Sequence, residues 1–478
     1  MPGWWSADAG AGMIETVFAV AFILYLALQI EDKFAVPSPL SLIALSFLLH
    51  RFFPEVTGFT PDARRFAILV LTLLPVLLIS DSLELRVDAL KQNAWSLFYL
   101  AVVTVVLSVL AGVLVKDFLF GGYHLGTAAT ILLFAMVLAT DPVSVVSIFS
   151  RFEIPHRLKI LAEGESLFND ATALIVFVYV GLHLLGGGRL TPGYLVEITL
   201  AVGLGSVVVG LVAGLIGLAL LKTTENRIAE MMVLIATGYG AFVLAEHFYV
   251  LVNLLGGHSH LHLSGILACI VATVTVNYWM CREVGFEERR ISAERQALIE
   301  ASVRETVSRG LIGSLLDALR ATVEERARHL RTKEDIQLLG LVANTILFVA
   351  MAEIVQLEAL IRYWREILVM FLATTAIRAL MMAKFVWLSR HSRHLAPVAS
   401  HWWGVLTFAG IKGGLSIVML SLIPDDFPFL DLFRAVVIGV VLASTFLYSL
   451  ILLAVIGRHA VTFRRELAAE AKEQTVAG

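Results

Sequence analysis

This sequence predicts an all-helical integral membrane protein of about thirteen transmembrane helices, on three observations. Its 478 residues are 58% hydrophobic and only 16% charged, where soluble domains run near 45–50% and 25%. Apolar stretches of about 20 residues, the length a helix needs to cross a bilayer, recur along most of the chain. Two of those stretches hold carboxylates at their middle, where an uncompensated charge costs at least about 2.5–3.5 kcal/mol, so these residues default to function. The net charge of −3 decides little, because the placement of charge matters more than its sum.

The spans read, in order, near 13–30, 37–53, 66–84, 93–115, 124–149, 158–185, 194–221, 228–251, 262–280, 335–357, 364–388, 402–423 and 432–457. The first is read as a retained span, because Met1 to Gly12 lack the positive region of a signal peptide. Spans 1–9 occupy 1–281, a polar connector 282–334, spans 10–13 occupy 335–457, and a tail follows over 458–478. With the N-terminus outside, 26 of the 36 Lys and Arg fall on inner connections and 8 on outer ones, which predicts N-out, C-in insertion in a cell membrane. The connector's apolar residues recur at helical spacing against an Arg/Glu-rich face, so cytoplasmic amphipathic helices are expected there, as a solvated link or as a surface or regulatory contact. The tail after Arg458 is short and mixed in charge and is expected to fray. Cys269 and Cys281 read as lying on one helix about 18 Å apart, too far to pair.

The first acidic stretch, Leu138-Ala139-Thr140-Asp141-Pro142-Val143, breaks its own helix. Pro142 removes a backbone donor, and Thr140 and Asp141 can hydrogen-bond locally instead of continuing the ladder. Backbone freed at membrane depth is tolerated only where protein buries it or a cavity receives it. The second, Glu163-Gly164-Glu165-Ser166-Leu167-Phe168-Asn169-Asp170-Ala171, reads as an unbroken helix. Its Glu165, Ser166, Asn169 and Asp170 share one arc of roughly 140°, so one face is polar.

A break reading Ala139-Thr140-Asp141-Pro142, followed by Glu165-Ser166-Leu167-Phe168-Asn169-Asp170-Ala171, resembles the monovalent cation:proton antiporter-1 family of NhaP-type and NHE-type sodium/proton exchangers. The resemblance implies two inverted six-span repeats joined by one extra helix, with broken helices crossing at the midplane. It places one break in span 5 and calls for its counterpart in span 12, where Ala409-Gly410-Ile411-Lys412-Gly413-Gly414-Leu415-Ser416 sets three glycines around a charge. It also implies a homodimer in which spans 1–3 and 8–10 form the scaffold and spans 4–6 and 11–13 the moving core.

Exchange of a small cation against protons needs one carboxylate that binds either but not both, and burial in low dielectric brings such competition into the physiological range. Asp170 is the candidate, and the resemblance makes it the shared ion and proton site. Asp141, the Thr140 carbonyl and Ser166 would complete an oxygen cage for Na⁺ or another alkali cation, with no transition metal and no cofactor. Asn169 stands where electrogenic relatives carry a second aspartate, which implies electroneutral exchange; a plain interhelical hydrogen bond is the bland reading of the same residue.

Glu165 and Arg378 are expected as a structural charge pair, since a buried Glu needs a cation and a buried Arg a carboxylate. Lys412 replaces the family's usual arginine near the second break, where it can compensate a half-helix dipole but can also lose its proton. Asp81, one place later in span 3 than the family's acidic residue, is a further candidate ligand, with Ser80 beside it. His258, His260 and His262 could bind a transition metal but read as solvated, and Glu246-His247 reads as an interhelical hydrogen bond or a pH-responsive pair.

Two other functions are set against exchange by what the sequence lacks. A proton-regulated cation channel or uniporter would show a filter repeat, and none is present. An intramembrane enzyme would carry a zinc, Walker or nucleophile-elbow motif, and none is found. The expected partners are the two ions, the bilayer and a second copy, with no nucleic acid.

Overall fold

The structure is a computed structural model and describes residues 7–34, 36, 38–52, 63–85, 87–254, 262–280, 309–392, 395 and 397–477. Among them all regular structure is helical. In chain order the main helices are α1 (Ala7–Phe34), α2 (Ser38–Phe52), α3 (Ala63–Glu84), α4 (Ala94–Tyr123), α5 (Thr127–Leu138), α6 (Pro142–Phe149), α7 (His156–Leu185), α8 (Pro192–Leu221), α9 (Arg227–Glu246) and α10 (Gly265–Met280). They continue as α11 (Arg309–Ile354), α12 (Trp364–His391), α13 (Trp402–Phe408), α14 (Leu415–Ser421) and α15 (Leu430–Ala477).

Seven helices among the described residues are long and apolar enough to cross a membrane, and Leu40–Phe52, Thr127–Leu138 and Gly265–Met280 are shorter apolar ones. Length and apolarity therefore mark seven crossings, and the figure of thirteen rests on the sequence reading. Both expected breaks are present. The fifth stretch splits into α5 and α6 around Ala139–Asp141, and the twelfth into α13 and α14 around Ala409–Gly414.

Two helices run past the apolar stretches that announced them. Helix α11 continues without interruption from Arg309 through the end of the expected connector and the tenth stretch. Residues 281–308 lie outside the described residues, as do His258 and His260. Helix α15 has 48 residues, about 72 Å at 1.5 Å each, against a hydrocarbon core of about 30 Å. The tail, expected to fray, continues α15 as helix to Ala477, and side chains up to Glu470 tie it to other elements. Arg464 Nε lies 2.9 Å from Glu153 Oε2, Trp402 Nε1 donates to Glu466 Oε2 at 3.0 Å, and the His156 amide donates to Glu470 Oε2 at 3.0 Å.

By internal contacts the chain forms two units. The first comprises Met1–Leu74, Asp88–Ile198 and Val342–Gly478, and holds both broken pairs. Phe134, Phe149, Phe177, Phe385, Phe433 and Tyr448 are fully buried in it. The second comprises Pro75–Val87 and Thr199–Leu341. There the Ser264 amide donates to Ser206 Oγ at 2.8 Å, joining the start of α10 to α8. Its buried Glu230 takes Arg328 Nε at 3.0 Å and His329 Nδ1, which ties α9 to the polar stretch of α11. Asp81 falls in this second unit and is half-buried.

Candidate functional site

The site is built wholly within the first unit, from the break between α5 and α6. Ala129 to Leu138 are buried without a gap, so α5 ends deep in the protein. Asp141 then caps α6: its Oδ2 accepts from the Ser144 amide at 3.3 Å and from the Ser144 hydroxyl. An aspartate at the cap, proline at the first helical position and a donor two residues further on are what a helix start prefers. The Ala-Thr-Asp-Pro motif thus ends one half-helix and starts the next in three residues.

Thr140 joins this break to α7. Its amide donates to Asp170 Oδ1 at 2.9 Å. Its hydroxyl oxygen accepts from Ser166 Oγ at 2.8 Å and from Asn169 Nδ2 at 3.2 Å. Asn169 Nδ2 also donates to Leu138 O at 3.0 Å, one of the carbonyls that the broken ladder leaves open. Its Oδ1 is buried with no hydrogen-bond partner among the described residues. Ser166, Asn169 and Asp170 are spaced i, i+3 and i+4, so one helix face supplies all three. All are buried, Asp170 at 7% exposure.

The second break crosses the first at this point. The Asp141 amide donates to Ile411 O at 2.7 Å, which fastens the two unwound segments to each other. A Cβ on Gly413 would lie 2.8 Å from Asp141 Cβ, so only glycine admits this approach. The Lys412 amide donates to Ser444 Oγ of α15 at 3.1 Å, and the lysine is buried.

Arg378, on α12, meets Glu165 in a fork, NH1 to Oε1 at 2.9 Å and NH2 to Oε2 at 2.8 Å. The same guanidinium donates from Nε to Thr407 O and from NH2 to Leu406 O, both at 2.9 Å. Those are terminal carbonyls of α13, so Arg378 is the residue that caps this half-helix end. Gly410 makes room for it, since a Cβ there would stand 2.2 Å from Arg378 Nε. Sequence reasoning missed Ser144 and Ser444. The first was readable as the third residue after a capping aspartate; the second sits on a distant helix and carries no local signal.

Two helix breaks joined by a hydrogen bond, beneath a buried aspartate, form a pattern that comparison can test. A family model described as sodium/hydrogen exchanger, transmembrane, matches residues 18–456, nearly the whole chain. The chain belongs to the sodium/hydrogen exchanger family. Among its relatives in that family, the Na⁺/H⁺ antiporter NhaG of Bacillus atrophaeus is 25% identical over 436 residues, which cover 87% of this chain and 69% of that one. The Na⁺/H⁺ antiporter ApNhaP of Aphanothece halophytica is 32% identical over 177 residues, 36% of this chain and 33% of its own. The fold matches that of the sodium proton antiporter MjNhaP1 of Methanocaldococcus jannaschii with a TM-score of 0.66 at 17% identity, covering 95% of this chain and 99% of that one. This family member is accordingly a multi-pass integral membrane protein and a transporter.

Proposed function

We propose that the protein exchanges a monovalent alkali cation, Na⁺ first among them, for protons by alternating access, and that Asp170 carries each in turn. The observation behind this reading is the position of Asp170, buried over the point where the two breaks meet and held through the Thr140 amide. A carboxylate there can bind a proton or a cation but not both together. Ser166 gives its hydroxyl proton to Thr140, which leaves its oxygen lone pairs for a cation. Asp141 and the Thr140 carbonyl complete an oxygen set suited to a hard ion. Asn169 braces the break without adding charge. One titrating carrier then moves one proton per cation, so the exchange is electroneutral. Glu165 and Arg378 act as scaffold, and Lys412 supplies positive charge at the second break. The protein works as a homodimer in a cell membrane, with its N-terminus outside and its C-terminus inside.

The test is proton-linked flux in proteoliposomes with Na⁺, K⁺, Li⁺ and Cs⁺ in turn, for the wild type and Asp170→Asn. The variant keeps an acceptor for the Thr140 amide and loses the titrating charge, so it stays folded and exchanges nothing. In the wild type, flux saturates, requires an opposing proton gradient, and shows a rising apparent KM for the cation as pH falls. Flux that does not need the gradient describes a channel instead, and exchange surviving Asp170→Asn removes that residue from the mechanism.

A further inference from the structure

The half-helix that Asp141 caps has a second set of contacts at its other end. Arg151, just past α6, pairs with Glu31 near the end of α1, and its NH2 donates to Val36 O at 3.2 Å. One turn earlier, Ser147 Oγ donates to Glu31 Oε1 at 3.4 Å and lies 3.4 Å from Ser38 Oγ at the start of α2. The turn of the first helical hairpin therefore grips the end of α6 through side chains on both of its helices. None of these five residues belongs to the proposed ion site.

We infer that this contact is a latch, which holds α6 against the hairpin on the membrane face where α6 ends and opens once in every exchange cycle. The inference rests on the proposed exchange by alternating access and adds to it the joint that has to part.

Three features support parting over a fixed joint. Helix α6 has 8 residues, about 12 Å of rigid rod, with Asp141 and Ser144 at one end and Ser147 and Arg151 at the other. Motion of the ion-site end is thus transmitted to the hairpin contact and the reverse. The bonds that join the hairpin to the end of α6 are carried by polar side chains that are only partly shielded, with side-chain exposures of 18% for Arg151 and 21% for Glu31. Water can replace each of these bonds on opening, so the parted groups keep hydrogen-bond partners. Finally, the segment after Arg151 leads directly into α7, so the latch lies at the shared end of the two helices that carry Asp141 and Asp170.

Disulfide trapping tests it in a background with Cys269→Ala and Cys281→Ala. Two pairs are made: Ser38→Cys with Ser147→Cys, joined directly by oxidation, and Glu31→Cys with Arg151→Cys, whose wider gap is spanned by a reducible bifunctional thiol reagent. Sodium-driven proton flux is measured in proteoliposomes before oxidation, after it, and after reduction, and cross-linking is scored by thiol labelling and mass. A latch predicts that cross-linked protein loses exchange, that reductant restores it, and that the single-cysteine proteins ignore the oxidant. A disulfide that forms while exchange continues shows that the two surfaces travel together and overturns the inference. So does failure of both pairs to cross-link, since the side chains are then not apposed. Wild-type protein that exchanges nothing in the same vesicles fails the exchange reading itself, and the latch falls with it; the cysteine-free parent serves as background only where it matches the wild type.

Discussion

At the scale of single residues, Arg378 carries the heaviest load. Its guanidinium meets both Glu165 oxygens and the carbonyls of Leu406 and Thr407 at 2.8–2.9 Å. Arg378→Ala strands Glu165 as an unpaired buried charge and uncaps α13, at a cost of about 3–5 kcal/mol for the broken pair alone. Thermal denaturation in detergent should show the loss directly, together with reduced yield. Normal stability with transport gone would move Arg378 from scaffold to mechanism. Arg378→Lys should recover little, because a point charge cannot serve a fork and two carbonyls at once. The sequence announced this partnership, since two charges in apolar helices each need the other. It did not announce that Arg378 also donates to the last carbonyls of α13. That contact depends on which long side chain reaches the Gly410 gap, and spacing along the chain carries no such information.

At the scale of elements, the two breaks decide the site, and both were legible. Pro142 and the cluster Gly410, Gly413 and Gly414 interrupt otherwise helical stretches, and the repeat argument paired them. What could not be read was their contact, because the Asp141 amide finds its acceptor at Ile411, far along the chain. The crossing yields a paired prediction. Gly413→Ala places a Cβ 2.8 Å from Asp141 Cβ and must push the breaks apart, whereas a Cβ on Gly414 meets nothing within 4 Å. Exchange measured side by side should fall steeply in the first variant and stay near wild type in the second. Equal behaviour of the two would mean that the closeness of the crossing is not needed. The extents of α11 and α15 were not legible either. Hydropathy detects only the part of a helix that lies in lipid, while charged residues such as Arg464, Glu466 and Glu470 continue a helix well in water and here find partners.

At the scale of the whole molecule, composition and span spacing sufficed for an all-helical membrane protein, and two short motifs sufficed for its family. The grouping of elements was less accessible. Asp81, a candidate ion ligand from its place in the sequence, lies on the part of α3 that groups with the second unit, because α3 divides between the two. The proposed homodimer predicts that purified protein has twice the chain mass by native mass spectrometry, and that surface cross-links between copies avoid the helices bearing Asp170 and Asp141. A monomer with full exchange activity would remove the dimer from the account. The central claim is that a single carboxylate, Asp170, with neutral Asn169 beside it, carries both substrates in a one-for-one cycle. Exchange by the wild-type protein in proteoliposomes, with the membrane potential clamped at a series of values, tests it most directly. The account predicts the same rate at every potential and no net charge moved per cycle; a rate that responds steeply to voltage, or a measurable current, would contradict it and point first to Lys412 as a second proton carrier.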